Sequence, residues 1–227
     1  VDASTAHRVT PGWVYGFAEL DAHDADTIRS ARRVANPGCY PTGAIALVRP
    51  LVDAGILPAD HPLTINAVSG YSGGGKSMIE AYERGTAPLF ELYGLALEHK
   101  HVPEITAYGR LKRRPIFVPS VGNFRQGMLV CIPLHLDTLP SKPKVQDVEA
   151  TLVRHYAGRA LVTVTTDALK ATGGRLDALA LNATDKLELF VFGKPGGDQA
   201  VLVARLDNLG KGAAGAAVQN IRLMAGV

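Results

Sequence analysis

The chain has 227 residues, 47% hydrophobic and 20% charged, with 24 Lys and Arg against 21 Asp and Glu and a net charge of +3. That length allows one large globular domain or two small ones, and the near-balance of charge excludes a polybasic or acidic binding tract. Arg110, Lys112, Arg113 and Arg114 are the only basic cluster, which reads as a solvated helix end, so no nucleic-acid partner is expected.

No apolar run reaches the ~18 residues of a membrane span, and no signal peptide is read at the N-terminus. Two cysteines, Cys39 and Cys131, do not make a disulfide framework, which points to a reducing, cytoplasmic setting.

In chain order, residues 1–8 read as a strand end entering a polar loop, where Ser4, Thr5, His7 and Arg8 could face a ligand or, equally, only solvent. An aromatic segment follows at 13–17, a short charged helix at 24–33 and a brief strand at 33–36. The last delivers Asn36-Pro37-Gly38-Cys39-Tyr40-Pro41-Thr42, a Pro-Gly turn with Pro41 suited to a first helical position. Cys39 is thus expected just ahead of a helix N-terminus. Unpaired N–H groups and the dipole there would lower the thiol pKa and could receive an oxyanion, making Cys39 a candidate nucleophile. The alternative is a buried structural cysteine. The helix should run on to Gly55 as its cap, with a kink at Pro50.

A strand at 63–68 leads into Gly70-Tyr-Ser-Gly-Gly-Gly-Lys76-Ser77, which matches the phosphate-cradling G-x-x-x-x-G-K-[ST] pattern, with Lys76 as its cation. A flexible glycine turn is the alternative, and the rest of the chain lacks the alternating strands and helices of a P-loop NTPase. Next, Glu98-His99-Lys100-His101-Val102-Pro103-Glu104-Ile105 places two histidines before a helix start at Pro103. Either could be a general base, or both could be solvated. No third ligand stands at metal-binding spacing, so no metal is expected.

The helix should continue to 111. Strands are expected at 116–118, 128–136 (with Cys131 as core packing), 161–165, 187–192 and 200–206, with an amphipathic helix at 145–156 and a loop at 119–127. Asp207-Asn208-Leu-Gly210-Lys-Gly212-Ala-Ala-Gly215 opens the last helix.

Four motifs, beginning at Asn36, Ser69, Glu98 and Asp207, occur in the order seen in the N-acetyl-gamma-glutamyl-phosphate reductases. The chain resembles the shorter type of that family, which is related to aspartate-semialdehyde dehydrogenase. The resemblance implies an α/β and α+β architecture: an incomplete Rossmann-like nucleotide-binding domain (1–38 and 207–227) and an α+β catalytic and dimerisation domain with a mixed sheet (39–206). It also implies reduction of N-acetyl-glutamyl 5-phosphate to the 5-semialdehyde by NADP(H) in arginine biosynthesis, in a homo-oligomer (dimer or tetramer).

Carried onto this sequence, Cys39 forms a thioester and His101 or His99 manages the proton, with His101 preferred because it abuts the Pro103 helix start. Ser69, Gly70, Ser72, Gly73 and Lys76 would hold substrate phosphate or carboxylate, and Arg8 and Arg125 would clamp it. Asn208, Gly210 and Gly212 would lie near the nicotinamide. The family's Gly-rich dinucleotide turn is not read in this chain, which starts at Val1 inside an apparent motif, so cofactor binding by this stretch alone is expected to be poor. A Cys-His thiol hydrolase and a non-catalytic substrate-binding or oligomerisation fragment are the competing functions.

Overall fold

A computed structural model describes residues 1–227. Its centre is a seven-stranded mixed sheet of β3 (Thr64–Gly70), β4 (Phe90–Leu92), β5 (Ile116–Gly122), β6 (Met128–His135), β7 (Val162–Thr165), β8 (Leu187–Phe192) and β9 (Gln199–Leu206), ordered β4-β5-β3-β6-β9-β8-β7. β3 and β5 pair in parallel, as do β7 and β8; the other neighbours are antiparallel.

Alternate residues share a face, and the pairing register puts Ile65, Ala67, Phe117, Val130, Ile132, Leu189, Leu202 and Ala204 on one side. That side is buried under α2 (Cys39–Asp53), α4 (Val102–Tyr108) and α5 (Val145–Tyr156). α2 is buried nearly all round, as a helix without a polar stripe must be. Gly43 brings it close: a Cβ there would come within 2.9 Å of Val130 Cγ2.

Pro50 removes an α2 hydrogen bond and so leaves the Ala46 carbonyl free, and the buried Tyr156 hydroxyl donates to that oxygen at 2.9 Å. Tyr156→Phe should therefore cost about 1–2 kcal/mol, read as a lower urea midpoint with an unchanged m value. A change below about 0.3 kcal/mol would show that Ala46 finds another donor.

The ends of the chain meet. β1 (Val14–Tyr15) and β2 (Val34–Ala35) form a two-stranded parallel sheet, which Asp2 extends by one bridge. α1 (Asp24–Ser30) packs on α7 (Gly215–Ala225) around Ile28, with Leu223 and Met224 against it. Tyr15, Phe17 and Leu20, however, join the large core under the sheet. No helix is long and apolar enough to cross a membrane.

Several boundaries differ from those read in the sequence. Cys39 is the first residue of α2 and not its predecessor, because Gly38 takes the extended N-cap conformation and Pro41 falls at the third position. α4 stops at Tyr108, short of 111. The expected loop at 119–127 is strand as far as Gly122, since parallel pairing with β3 holds Pro119 opposite Ala67. Pro119 turns its missing N–H toward edge strand β4, whose pairing ends at Leu92. β4 and the single-turn α6 (Ala168–Thr172) are too short to show a period and were not foreseen.

Candidate active site

α2, the glycine turn after β3, the N-terminus of α4 and the stretch after β9 converge on a cavity of ≈ 460 Å³. Cys39, His99, His101, Arg8, Ser72, Gly73, Asn208 and Gly212 all line it. Residues far apart in sequence are thus brought to one place.

Cys39 lines the cavity and is partly buried. Burial pushes its thiol up to about 11; the N–H groups of Tyr40 and Cys39 at the helix start pull the other way, as does Arg8, and Glu104 adds to the rise. The expected resting thiolate is therefore corrected to a neutral thiol, because at this helix terminus desolvation outweighs the dipole.

His101 caps α4 and is 5% exposed, with Nδ1 lacking a partner. Its backbone N–H donates to His99 Nδ1 at 3.2 Å, which leaves the proton of neutral His99 on Nε2. Burial lowers both imidazoles: His101 well below 6.5, helped by the charges of His99, Arg8 and Lys100, and His99 less, helped by Lys100. Both are therefore neutral near pH 7, the state a general base requires.

The glycine turn is not a nucleotide P-loop. The N–H groups of Gly70, Tyr71 and Ser72 donate to the carbonyls of Gly127, Phe124 and Arg125, so they do not point into a cradle. Gly70 is there for close approach, since a Cβ would meet the Arg125 carbonyl at 2.6 Å. Ser72, Gly73, Gly74 and Gly75 face the cavity, whereas Ser69 and Gly70 lie behind them beside a small adjoining void.

The Lys76 side chain is 91% exposed and 3.9 Å from Glu80, outside the cavity. Its assignment as substrate cation is corrected: α3 (Lys76–Glu83) starts at Lys76 and carries that side chain outward. Lys76→Met should leave KM for the acyl phosphate within about twofold. A tenfold rise would restore Lys76 to the site.

Arg125 is likewise exposed and offers only its carbonyl, to Ser72. Arg8 edges the cavity, but its guanidinium is spent within the protein, on the Asn36 carbonyl (3.0 Å), the Ala3 carbonyl (3.1 Å) and Glu104 (3.2 Å). A free clamp on substrate is not what either residue provides. Asn208 bridges Ser72 Oγ at 2.9 Å and the Gly127 N–H at 2.8 Å, tying the glycine turn to the β9 end.

The spacing Gly-x-Gly-x-x-Gly does occur, at Gly210, Gly212 and Gly215, between β9 and α7, which corrects the reading that no such turn is present. Its glycines serve packing. A Cβ at Gly210 would meet the Thr184 carbonyl at 2.0 Å, at Gly212 Cys39 Cβ at 2.9 Å, and at Gly215 Asp185 Oδ1 at 1.8 Å. Residues Gly210–Ala214 form a π-helical turn, a bulge of the kind found at functional sites, and its Gly212 is what lets it press on Cys39. Gly210 itself does not reach the cavity.

Asn36 lines the cavity and Glu104, Tyr15 and Asp207 lie behind its walls, and sequence reading gave none of the four a role at the site. Glu104 lay in full view three residues after His101, but nothing local shows that it faces the Cys39 turn. Asp207 accepts from Gln126, Ala183 and Leu209, and so holds three loops at the end of the sheet.

A family model described as "Semialdehyde dehydrogenase, dimerisation domain" matches residues 39–208. The N-acetyl-gamma-glutamyl-phosphate reductase of Rhizobium etli (strain CIAT 652) is 59% identical over 230 residues, which cover 99% of this chain and 74% of that protein. The protein of that name from Brucella ovis is 57% identical over 231 residues, covering 100% and 74%. Among solved structures, aspartate semialdehyde dehydrogenase II from Vibrio cholerae, complexed with ASA, has a TM-score of 0.68 at 16% identity, covering 99% of this chain and 71% of that one. The Francisella tularensis aspartate semialdehyde dehydrogenase has a TM-score of 0.68 at 11% identity, covering 100% and 74%. At such low identity these structures support the fold alone.

Proposed function

The chain belongs to the N-acetyl-gamma-glutamyl-phosphate reductase family, and from that premise we propose that Cys39 carries the reduction of N-acetyl-glutamyl 5-phosphate to the 5-semialdehyde, a step of arginine biosynthesis. The observation that carries this reading is a thiol at a helix start sharing one cavity with two neutral histidines.

His101 takes the Cys39 proton as the sulfur adds to the acyl-phosphate carbonyl. The N–H groups at the start of α2 face the oxyanion, the C–O bond to phosphate breaks, and a thioester remains on Cys39. A nicotinamide cofactor, NADP(H) on this reading, would supply the hydride for reduction of the thioester to the aldehyde level. His101 then returns its proton to the departing sulfur. Gly73 and Ser72 line the anion side, and Asn208 and Gly212 the nicotinamide side.

Asn208, Leu209, Gly212 and Ala213 line the cavity beside Cys39 and are the residues that would border the nicotinamide. The space over the glycines of the 210–215 turn is taken up by Thr184, Cys39 and Asp185, so this turn would not cradle a pyrophosphate. On this reading residues 39–206 are the catalytic and dimerisation unit, and 1–38 with 207–227 belong to the nucleotide-binding unit.

The assay is run in reverse, as phosphate-dependent oxidation of N-acetylglutamate 5-semialdehyde with NADP⁺ and with NAD⁺. Turnover with NADP⁺ that needs phosphate is the expected result. Ester or thioester hydrolysis without any nicotinamide would favour the Cys-His hydrolase instead.

The matched model is described as a dimerisation domain, which supports the reading of a homo-oligomer. The sheet face away from α2 offers the surface: the register lines up Phe90, Leu92, Val118, Leu129, Cys131 and Val201 across it, with Val201 40% exposed. Val201→Lys should shift the sedimenting species toward monomer. An unchanged sedimentation profile would move the interface off this face.

A further inference from the structure

The turn that presents Cys39 is held from both sides by one buried ion pair. Arg8 is 8% and Glu104 1% exposed, and Arg8 Nη1 lies 3.2 Å from Glu104 Oε2. Arg8 Nε donates to the Asn36 carbonyl at 3.0 Å, while Glu104 Oε1 accepts the Gly38 N–H at 2.7 Å. The peptide groups on either side of Pro37 are thereby tied to opposite members of the pair.

Glu104 Oε1 also accepts the Tyr15 hydroxyl at 2.7 Å, and Tyr15 stacks on Tyr108 with ring centroids 3.7 Å apart. Tyr108 closes the circuit by donating to the Arg8 carbonyl at 2.6 Å. Burial raises the Glu104 carboxyl above its ordinary range, while Arg8, the Gly38 N–H and the Tyr15 hydroxyl, all donors or cations on its two oxygens, pull the other way and favour the carboxylate. The pair also reaches the proposed base. A Cβ on Gly38 would come within 2.6 Å of Arg8 Nη1, 2.8 Å of His101 Nε2 and 3.0 Å of Glu104 Oε2, so all three groups converge on that glycine.

We propose that Arg8 and Glu104 are positioning residues for the reaction: acting through the Asn36–Gly38 turn, they fix the approach of Cys39 to substrate and hold the charge balance of the Cys39–His101 couple. The proposal rests on Cys39 being the nucleophile. It reassigns Arg8 from substrate to scaffold.

A buried ion pair contributes little net stability, because desolvation offsets attraction, but removing one member leaves the other charged and unpaired. The two members act oppositely on the thiol: the Glu104 charge raises its pKa and the Arg8 charge lowers it. The groups facing the pair are Tyr15 from β1, Cys39 from α2, and His101 and Tyr108 on α4, while Lys100 and His99 bear on His101.

The test uses a Cys131→Ser background, so that Cys39 is the one thiol of residues 1–227, and reads kcat, KM and the pH midpoint of Cys39 alkylation by iodoacetamide. Glu104→Gln should lower kcat by about 30-fold with KM within about threefold. Its alkylation midpoint should fall by about half a pH unit or more. Arg8→Gln should also lower kcat, but raise the midpoint. Shifts of opposite sign with losses of the same sign are not produced by general loosening of the fold.

Glu104→Asp and Arg8→Lys, which keep the charges, should lose kcat while leaving the midpoint within about 0.3 of the parent, and they carry the test if the Gln variants do not fold. Turnover within twofold of the parent in all the folded variants would overturn the proposal, as would midpoints moving in the same direction. If instead Cys39→Ser keeps its turnover, the nucleophile reading itself has failed.

Discussion

Cys39→Ser is expected to lower turnover by at least ~10³-fold while leaving the melting temperature within about 3 °C of the parent. The loss is large because the chemistry needs a sulfur. A serine hydroxyl is far more weakly acidic than the thiol, and the neighbouring bases, His101 and His99, are neutral imidazoles already weakened by burial. The fold should tolerate the change, since serine is smaller than cysteine and the close approach at this point is made by Gly212, which keeps its space. Burst release of phosphate from the acyl phosphate should vanish as well, because no thioester can form. A variant with near-parental turnover would remove Cys39 from the mechanism and leave the cavity without a nucleophile.

His101→Asn should cost about 10²- to 10⁴-fold in kcat, and more than His99→Asn. Of the two rings, His101 is the deeper, and its Nε2 faces the Gly38–Cys39 turn. His99 is half-buried and spends Nδ1 on the His101 backbone. The pH dependence follows from the shifts. A base works in its neutral form, which exists above its pKa; burial lowers that value for His101, so the acid limb of the parent profile should fall below pH 6.5. In His101→Asn the thiol must ionise unaided, and its pKa is raised to about 11. The residual rate should then climb about tenfold per pH unit through the neutral range, without a plateau near pH 7. A larger loss at His99, or a flat profile in His101→Asn, would reverse the assignment of the two histidines.

The motifs were legible because each is local. The Pro-Gly turn before Cys39, the glycine turn after β3, the His-x-His pair and the Asp207–Gly215 stretch are runs of fewer than ten residues, whose turn chemistry and strand or helix context can be read directly. The helix at 145–156 and the strand at 187–192 matched their observed limits, because period and flanking turns agreed. Lys76 and Arg125 were misplaced for one reason: a cation near a motif was read as facing the ligand. Which way a side chain points depends on where the helix starts, and α3 starts at Lys76 itself.

By itself, then, the sequence determined the nucleophile candidate, the pair of possible bases and most of the longer strands and helices, and its four motifs carried the resemblance to the family. The first three follow from spacing and residue type, which need no knowledge of what lies opposite. Only the tertiary structure decided the rest. It placed Glu104 and Arg8 around a turn 28 residues from one and 66 from the other. The three glycines of the 210–215 turn were assigned there to packing, and the Cys39 thiol was left neutral at a helix start that would otherwise ionise it. The physical reason is common to all three. Burial and contact are properties of neighbours in space, and desolvation by those neighbours can outweigh whatever the local chain prefers.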